Sequence, residues 1–426
     1  MIDLHDLRKH PERYQEGCDR KRIKFSVSEF LQLDERYRSV KAEVESLRSK
    51  QNAFSKELPK LMGKAKEDGL DQMKQLSARL KEFASSLKDI EEEWQRQQLL
   101  IPSIPRSDVP DGASDKDNVE MYRRGEPPVF DFETKDHVEL GSSLGIIDIE
   151  RGVKVSGSRN YFLKGDGVRL QHAVLSMAMD LLSGSKGYTL MDPPHIVKYQ
   201  AMSGTGYFPG GEEQAYHLDQ RDDDLFLIGT AEVPVCAYHA DEILDASLLP
   251  LRYAGYSPCY RREAGTYGKD THGIYRIHQF YKVEQVVICK ADEAESAKLH
   301  AELLANAEEM VRLLELPYRV VAVSSGDMGQ GQVYKNDIEV WMPSRKSYCE
   351  THSCSSFHDF QARRLGMRYK DDSGKNIYCY TLNNTCIASP RILIPLLEVH
   401  QQRDGSVTIP EALRKYMGAQ DTIKPK

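Results

Sequence analysis

Two long heptad repeats in the first hundred residues constrain the fold more than any other feature of the chain. Ser26 and Glu29 have the spacing of a capping box, which predicts that a helix begins there. Seam positions then follow at alternating steps of four and three residues: Leu33, Tyr37, Val40, Val44, Leu47, Gln51, Phe54 and Leu58. After an interruption by Pro59 and residues 63–69, the pattern resumes with Met73, Leu76, Leu80, Phe83, Leu87, Ile90 and Trp94. Two seams of similar length predict an antiparallel helical hairpin, about 45 Å long.

The outer face of this hairpin is rich in basic residues: Arg36, Arg38, Lys41, Arg48, Lys50, Lys56, Lys60, Lys64 and Lys66. A solvated coiled-coil face accounts for such a pattern without any further role. A protruding arm too narrow to enclose a pocket is also suited to holding a large partner, so RNA binding stays open as the alternative.

Composition and a proline-rich stretch indicate the class of protein and the limits of its domains. The 426 residues carry a formal net charge of −7, which argues against wholesale coating of nucleic acid. The segment MIDLHDLRKHPERYQEG is too charged for a signal peptide, and the sequence has no apolar run of about 18 residues, so we expect a cytoplasmic protein with no membrane partner. Eight cysteines without a CxxC pair predict free thiols. The stretch IPSIPRSDVPDG at 101–112 predicts a linker between a domain over 1–105 and one α+β domain over 110–426.

The segment YRREAGTYGKDTHGIYRIHQFYKVEQVVI, residues 260–288, carries more charge than a core strand needs. We interpret it as strand–loop–strand, with the loop at 264–273. Alternation predicts that Arg261 and Glu263 share one face of the first strand. On the second strand it separates a charged face from an apolar face: Arg276, His278, Phe280, Lys282 and Glu284 against Ile277, Val283 and Val287.

The charged face of this segment suits a nucleotide. The planar fork of Arg261 can hold an α-phosphate with two hydrogen bonds. Phe280 can stack on adenine, and Glu263 or the backbone at Ile277 can read the amino edge of the base.

The same residues carry a family resemblance. Tyr260-Arg261-x-Glu263 followed by Arg276-x-x-x-Phe280-x-x-x-Glu284 resembles the second signature motif of class II aminoacyl-tRNA synthetases. The likeness to the bacterial-type seryl-tRNA synthetases covers nearly the whole chain, through GTAEVPV (229–235), FDFETKDHVELG (130–141), GDMGQG (326–331), DIEVWMPS (337–344) and HDFQARR (358–364). It implies an α+β fold, with a coiled-coil arm and a catalytic domain on a mixed, mainly antiparallel sheet.

Two further motifs match less directly. GYTLMDPPHIV (187–197), with Pro194 at the terminal place, is similar to the first class II motif, which shapes a dimer interface in the family. In the third motif, LNNTCIASPRILIPLLE (382–398), Asn384, Thr385, Cys386 and Pro390 replace the frequent Gly, Ser, Gly and Gly. We expect Ser389 to N-cap the following helix and Arg391 to emerge from its first turn, beside a γ-phosphate.

The resemblance also implies roles for individual residues. Catalysis is assigned to Arg261, Glu350 and Arg391, with Mg²⁺ held by Glu350 and Ser353. Serine binding is assigned to Thr230, Ala231, Glu232, Arg261, Glu284 and Thr385. ATP binding is assigned to Arg261, Arg262, Glu263, Ile277, Phe280, Glu350, Thr351, His352, Ser353 and Arg391. Cys349, His352 and Cys354 could mimic a zinc cluster, but neighbouring positions on one strand should not all face one ion, so no zinc is expected.

The implied activity is that of a serine–tRNA ligase. ATP and L-serine give seryl-adenylate, and serine passes to tRNA(Ser), with tRNA(Sec) as a further substrate that the sequence leaves open. A homodimer is expected, with residues 26–100 holding the long variable arm of the tRNA. Two rivals are a ligase that activates an amino acid for a carrier protein and a catalytically inactive paralogue that binds RNA. The complete arm opposes the first, and the retained charges, Arg261, Glu284, Glu350 and Arg391 among them, oppose the second.

Overall fold

The computed structural model describes residues 1–218, 224–264 and 272–426. Its backbone contacts form two compact units, one of residues 2–19 and 23–104 and the other of residues 1, 20–22 and 105–426. Most of the loop that the sequence predicts at 264–273 lies outside the described residues. Within those residues, no helix has both the length and the apolar composition needed to cross a membrane.

The helices are numbered in chain order: α1 Leu4–Lys9, α2 Pro11–Arg20, α3 Val27–Glu57, α4 Lys64–Gln98, α5 His137–Ser143, α6 Ile149–Ser156, α7 Asp166–Gly184, α8 Tyr199–Thr205, α9 Glu232–Ala237, α10 Glu293–Leu313, α11 Phe360–Leu365, α12 Leu393–Val399 and α13 Glu411–Arg414. The strands are β1 Val119–Arg124, β2 Ile147–Asp148, β3 Phe162–Leu163, β4 Thr189–Met191, β5 Ile196–Lys198, β6 Tyr216–His217, β7 Leu225–Leu227, β8 Ile243–Leu244, β9 Leu251–Tyr260, β10 Gln279–Cys289, β11 Tyr318–Ala322, β12 Tyr334–Met342, β13 Ser347–His358, β14 Arg368–Lys370, β15 Asn376–Tyr378, β16 Tyr380–Ser389, β17 Val407–Thr408 and β18 Thr422–Ile423.

Helices α3 and α4 form the hairpin that the heptads predict. Tyr37 near the start of α3 stacks on Trp94 near the end of α4, with ring centroids 4.5 Å apart. Further along, Gln51 Nε2 donates to Ser77 Oγ at 2.9 Å. Because residues early in one helix meet residues late in the other, the pair is antiparallel, and this part of the prediction is confirmed.

The turn of the hairpin is shorter than the sequence pattern indicates. Helix α4 begins at Lys64, so Gly69 lies inside a helix rather than in the interruption. A Cβ atom on Gly69 would lie 2.9 Å from Leu58 Cδ1. A larger residue there would push the Leu58 side chain aside, so this glycine belongs to the packing of the hairpin and does not end a helix.

The central sheet of the larger unit holds eight strands among the described residues, in the order β1-β11-β12-β13-β16-β10-β9-β4. Its neighbours are antiparallel except β4, which runs parallel to β9 at one edge. The prediction of a mixed, mainly antiparallel sheet is confirmed.

One face of this sheet is covered by α7 and α10. Val283 and Val287 of β10 join Val174 of α7 and Leu303 of α10 in the main core cluster. Because side chains alternate along a strand, Lys282 and Glu284 of β10 are directed to the opposite face. The sheet thus buries one face in the core and presents polar side chains on part of the other.

Candidate active site

A polar cavity of about 250 Å³ lies on the face of the sheet opposite α7 and α10. Most of the predicted site residues line it: Arg261, Glu263, Ile277, Phe280, Glu350, Thr351, Ser353, Thr385 and Arg391. The lining also includes residues that the sequence analysis gave no ligand role: Tyr275, Lys282, Gln332, Lys335, Ala388 and Ser389. Within the described ranges, the predicted residues outside this lining are Thr230, Ala231, Glu232, Arg262, Glu284 and His352.

A β-bulge brings Glu350 and Ser353 to the same cavity. In a regular strand two residues three positions apart point to opposite faces. The register of β12 against β13 shifts between Ile338 and Glu339, which leaves Thr351 as the extra residue. Because a bulge re-aims the side chains beside it, Glu350, Thr351 and Ser353 all line the cavity.

The three residues considered for zinc, Cys349, His352 and Cys354, are all buried, and the two cysteines belong to the main core cluster. His352 Nδ1 lies 2.7 Å from Thr351 Oγ1, and burial lowers the pKa of His352 to about 4. Among the described residues, no group of three His, Cys, Asp or Glu side chains is arranged to hold a metal ion. The absence of zinc stays a prediction.

The motif-2 segment differs from the predicted pair of strands. Strand β9 ends at Tyr260, so Arg261 and Glu263 lie beyond it, and Glu263 has a φ of 50°. Strand β10 begins at Gln279, so Arg276 precedes the strand and instead pairs with Glu263 at 3.5 Å. The predicted alternation of side chains is therefore correct only from Phe280 onward, because Arg261, Glu263 and Arg276 lie outside both strands.

Arg261 is fixed beside Phe280. Its Nε donates to the carbonyl of Gly229 at 3.2 Å, and its guanidinium lies 5.3 Å from the Phe280 ring centroid. Burial acts to lower the pKa of Arg261, but negative charge nearby, including that of Glu350, raises it above its ordinary value. The guanidinium is thus fully charged and set next to an aromatic ring.

Arg391 reaches the cavity by a different route from the predicted one. Ser389 ends β16 and donates to Gln171 Oε1 at 3.2 Å, while α12 begins only at Leu393. Ser389 is therefore no N-cap, and Arg391 precedes the helix. Instead, Arg391 Nε donates to the Tyr275 carbonyl at 3.2 Å, and its guanidinium lies 4.4 Å from the Tyr275 ring centroid.

Positive charge dominates the region around Glu350. Glu350 is open to solvent, but partial desolvation by the surrounding cleft would by itself raise its pKa. The charges of Lys335, Arg391 and Arg261 outweigh that effect and hold the pKa below its ordinary value. Lys335 also pairs with Asp337 at 3.0 Å. The cleft therefore holds the ionised carboxylate of Glu350 among cations, an arrangement suited to a polyphosphate with a bound divalent cation.

Beneath this cleft lies a buried cluster around Glu284. Lys282 Nζ lies 2.5 Å from Glu284 Oε2 and donates to Thr230 Oγ1 at 2.8 Å. Thr385 Oγ1 donates to the same Glu284 oxygen at 3.3 Å. The structure thus adds Lys282 to the predicted pair of Glu284 and Thr385, and gives the Thr385 hydroxyl a protein acceptor.

Glu232 lies near this cluster at the start of α9, after the fully buried Ala231. Its Oε1 accepts a hydrogen bond from Gln361 Nε2 at 2.7 Å. Burial, followed by the negative charge of Glu284, raises the pKa of Glu232 to about 7. Glu232 therefore changes charge near neutral pH.

Sequence reasoning missed several residues of this region. Gln361 belongs to the HDFQARR run, but nothing in that run indicates that its amide meets Glu232. Asn383 is 6% exposed, and its Nδ2 has no hydrogen-bond partner in the described part of the chain. Lys335 and Asp337 alternate along β12, a pattern that could have placed both on the site face.

Arg262, which the sequence analysis assigned to ATP binding, lies outside the cavity lining. Its backbone N–H donates to the Gln214 carbonyl at 2.9 Å.

Comparison with known proteins gives a consistent result. Residues 1–105 match the model of the seryl-tRNA synthetase N-terminal domain, and residues 216–400 match that of the tRNA synthetase class II core domain (G, H, P, S and T). The chain is 45% identical over 423 residues to a serine–tRNA ligase of Deinococcus radiodurans, with 99% of each chain covered. It is 46% identical over 426 residues to that of Caldicellulosiruptor saccharolyticus, with 100% of each covered. The crystal structure of seryl-tRNA synthetase from Pyrococcus horikoshii complexed with ATP matches with a TM-score of 0.90, at 36% identity over 100% of both chains.

Proposed function

The chain belongs to the seryl-tRNA synthetase family of class II aminoacyl-tRNA synthetases, and from this premise we propose that it activates L-serine with ATP and transfers serine to tRNA(Ser). One observation carries the proposal: the cationic cleft at Glu350 lies next to the buried Glu284–Thr385 pair. The cationic cleft suits a nucleoside triphosphate, and the Glu284–Thr385 pair suits a small hydroxyl-bearing amino acid.

In the activation step, the serine carboxylate attacks the α-phosphorus of ATP and pyrophosphate leaves. Arg261 holds the α-phosphate and the serine carboxylate together, which lowers their mutual repulsion and brings the reacting atoms into line. Arg391 binds the γ-phosphate, so that positive charge lies along the polyphosphate as the bond to pyrophosphate breaks. Both guanidiniums are already oriented by backbone carbonyls, at Gly229 and Tyr275.

Glu350 and Ser353 fit a Mg²⁺ site. Both present hard oxygen donors to the cavity, and Glu350 is held in its ionised form. They would hold Mg²⁺ together with phosphate oxygens, and the bound ion supplies charge neutralisation for the polyphosphate. Two protein ligands are in keeping with the habit of Mg²⁺ of keeping several waters and phosphate oxygens.

The adenosine part of ATP contacts the motif-2 segment. Phe280 stacks on adenine, and Glu263 with the backbone at Ile277 reads its amino edge. Arg262 supports the segment that carries Glu263. Thr351 and His352 complete the nucleotide contacts through the bulged part of β13: Thr351 lines the cavity, and His352 supports it from the buried side.

Serine is selected by polar groups around its hydroxyl and amino groups. Glu284 accepts the hydroxyl proton, and Thr385 donates to the hydroxyl oxygen. The Thr230–Glu232 run, with Ala231 between them, meets the ammonium group. A pocket built around a hydroxyl disfavours an analogue without it, because the buried polar groups would be left unpaired.

The hairpin of α3 and α4 holds the tRNA. The basic residues of its outer face, from Arg36 to Lys66, are all exposed. Exposed basic side chains along a helical hairpin favour contact with phosphate groups, and we assign them to the long variable arm of tRNA(Ser). A tRNA(Sec) with a similar arm is a second substrate on the same grounds.

The protein acts as a homodimer through the edge of the central sheet. Strand β4, which lies in the first class II motif, forms that edge. Leu190 of β4 and Ile196 of β5 are 44% and 49% exposed, respectively. An edge strand with exposed apolar side chains favours pairing with a second copy.

Charging of tRNA tests this function. Purified protein, ATP, Mg²⁺ and labelled serine are incubated with transcripts of tRNA(Ser), of tRNA(Sec), and of a tRNA(Ser) without its variable arm. We expect charging of tRNA(Ser) and of tRNA(Sec), and little charging of the armless transcript; failure to charge tRNA(Sec) would remove it as a substrate. Equal charging of the armless transcript would contradict the role given to the hairpin.

A further inference from the structure

A buried chain of amide side chains lies below the site, on the α10 side of the sheet. Asn306 Nδ2 of α10 donates to Gln285 Oε1 of β10 at 2.8 Å. Gln285 Nε2 donates to Asn384 Oδ1 of β16 at 2.6 Å, and Asn384 Nδ2 donates to the Ser353 carbonyl of β13 at 3.1 Å. Asn384 and Gln285 are both 0% exposed.

The hydrogen bonds of this amide network restrict the positions of its side chains. The amide oxygen of Gln285 accepts a hydrogen bond from Asn306. Its amide nitrogen donates both to Asn384 and to the Leu303 carbonyl, the latter at 3.1 Å. Buried amides that lose such partners pay a large desolvation penalty. Apolar contacts would tolerate a small slip between the strands, whereas these hydrogen bonds form in one register only.

The two middle members of this network, Gln285 and Asn384, are each next to a site residue in the sequence. Glu284 precedes Gln285, and Thr385 follows Asn384. The two pairs are successive cross-strand partners, Glu284 with Thr385 and Gln285 with Asn384. Because side chains alternate, the amides point into the core where the site residues point toward the cavity.

The register next to these pairs is irregular. Between Val283 and Glu284 the pairing of β10 with β16 shifts, and Cys386 is the extra residue. A second shift, at Thr351, lies on β13 close to Ser353. Strand register near a bulge needs a specific contact to fix it, because moving the bulge by one residue would turn Thr385 away from Glu284.

We propose that Asn384 is a positioning residue, which fixes Thr385 on Glu284 and fixes Ser353 at the cavity through its own hydrogen bonds to Gln285 and to the Ser353 carbonyl. This inference rests on the proposed function. It gives a role to the asparagine that stands where glycine is frequent in the third motif. The Asn384 side chain is directed into the core, so it takes no space from the nucleotide.

The variants Asn384→Ala and Asn384→Gly test the proposal, with Asn306→Ala as the matched control. Both Asn384 variants remove the bonds to Gln285 and to the Ser353 carbonyl. Glycine is the residue frequent at this place of the third motif, so the second variant decides if the first does not fold. Asn306→Ala removes an equally buried amide but leaves the Gln285–Asn384 and Asn384–Ser353 bonds in place. Three quantities are compared: the Kd of 5′-O-(seryl-sulfamoyl)adenosine by calorimetry, the serine KM and kcat in pyrophosphate exchange, and the thermal midpoint.

We expect both Asn384 variants to bind the seryl-sulfamoyl probe about tenfold more weakly, the lower end of what loss of a supporting contact costs, with a higher serine KM. The Asn306 control should lose thermal stability yet keep its Kd and KM within about threefold, since it lies one bond further from the site. Unchanged Kd and KM in Asn384→Gly, or an equal loss in Asn306→Ala, would overturn the proposal. Absence of serine-dependent exchange in the unmodified protein would instead overturn the proposed function.

Discussion

Thr385 Oγ1 donates a 3.3 Å hydrogen bond to Glu284 Oε2 across a sequence separation of 101 residues. The two strands that carry them are adjacent, and the bulge beside Glu284 sets them opposite each other. Lys282 reaches the same carboxylate oxygen, so Glu284 is the common acceptor of a lysine and a threonine. In our account, the serine hydroxyl enters this existing arrangement.

Substitution of Glu284 should weaken serine activation strongly. We expect Glu284→Ala to lose about 2–4 kcal/mol of transition-state stabilisation, because the buried Lys282 loses its carboxylate partner and the serine hydroxyl loses its acceptor. Glu284→Gln keeps the shape and serves as the control for packing. Serine-dependent pyrophosphate exchange measures both, and near-normal kcat/KM in Glu284→Ala would rule out the hydroxyl contact.

Two substitutions of Thr385 separate the contribution of its hydroxyl group to serine binding from that of its shape. Thr385→Ser keeps the donor to Glu284 and should cost little. Thr385→Val keeps the volume but removes the donor, so its serine KM should rise about tenfold, the effect of one lost hydrogen bond in a buried site. If the two variants give the same serine KM in exchange, the threonine hydroxyl takes no part in serine binding.

Arg261 should be needed for chemistry rather than for folding. We expect Arg261→Ala to lose at least about 100-fold in exchange rate, the scale for one charged stabiliser of a transition state. Arg123→Ala on the edge strand β1 is the matched control, since Arg123 is exposed and pairs with Glu120 away from the cavity. Equal activity in the two variants would contradict the role of Arg261 at the α-phosphate.

Serine affinity should depend on pH through Glu232. Its pKa is raised from 4.5 to about 7, so the folded protein protonates this carboxyl below about pH 7. A protonated Glu232 attracts the serine ammonium less, and the serine KM should therefore fall as the pH rises through about 7. The effect of Glu232 on the free energy of unfolding has the opposite sign. The folded state binds the proton more tightly than the unfolded state does, so the stabilisation from this group is lost as the pH rises from about 4.5 to 7.

Exchange assays between about pH 6 and pH 8 measure this effect, with Glu232→Gln as the control. The variant cannot titrate, so its serine KM should be flat over the range. A wild-type profile as flat as that of the variant would remove Glu232 from serine binding.

The hairpin should matter for tRNA and not for activation. Deletion of residues 26–100 removes most of the smaller compact unit and none of the residues assigned to the cavity. We expect serine-dependent exchange to stay within about threefold, whereas charging of tRNA(Ser) is lost, because the arm supplies only contacts to RNA. A full-length variant with Arg36, Arg38 and Lys41 changed to Glu should give the same separation without a deletion. Loss of exchange in this folded variant would argue against the division.

Sequence reasoning was most successful where periodicity is regular. The heptads placed α3 and α4, and alternation placed Phe280, Lys282 and Glu284 on one face of β10. It failed where the backbone departs from its period. Glu350 and Ser353 share a cavity only because of the bulge at Thr351, and Arg391 is held by Tyr275 rather than by a helix start. The Gln361–Glu232 contact joins residues 129 positions apart, and no local pattern encodes it.

The central claim is that this protein chooses and activates serine, and amino-acid-dependent ATP–pyrophosphate exchange tests it most directly. Each of the twenty amino acids is supplied in turn to the purified full-length protein with ATP, Mg²⁺ and labelled pyrophosphate. We predict exchange with serine at least about 100-fold above alanine, which lacks the hydroxyl that Glu284 and Thr385 are placed to bind. Exchange that is strongest with another amino acid, or absent with all twenty, would contradict the account.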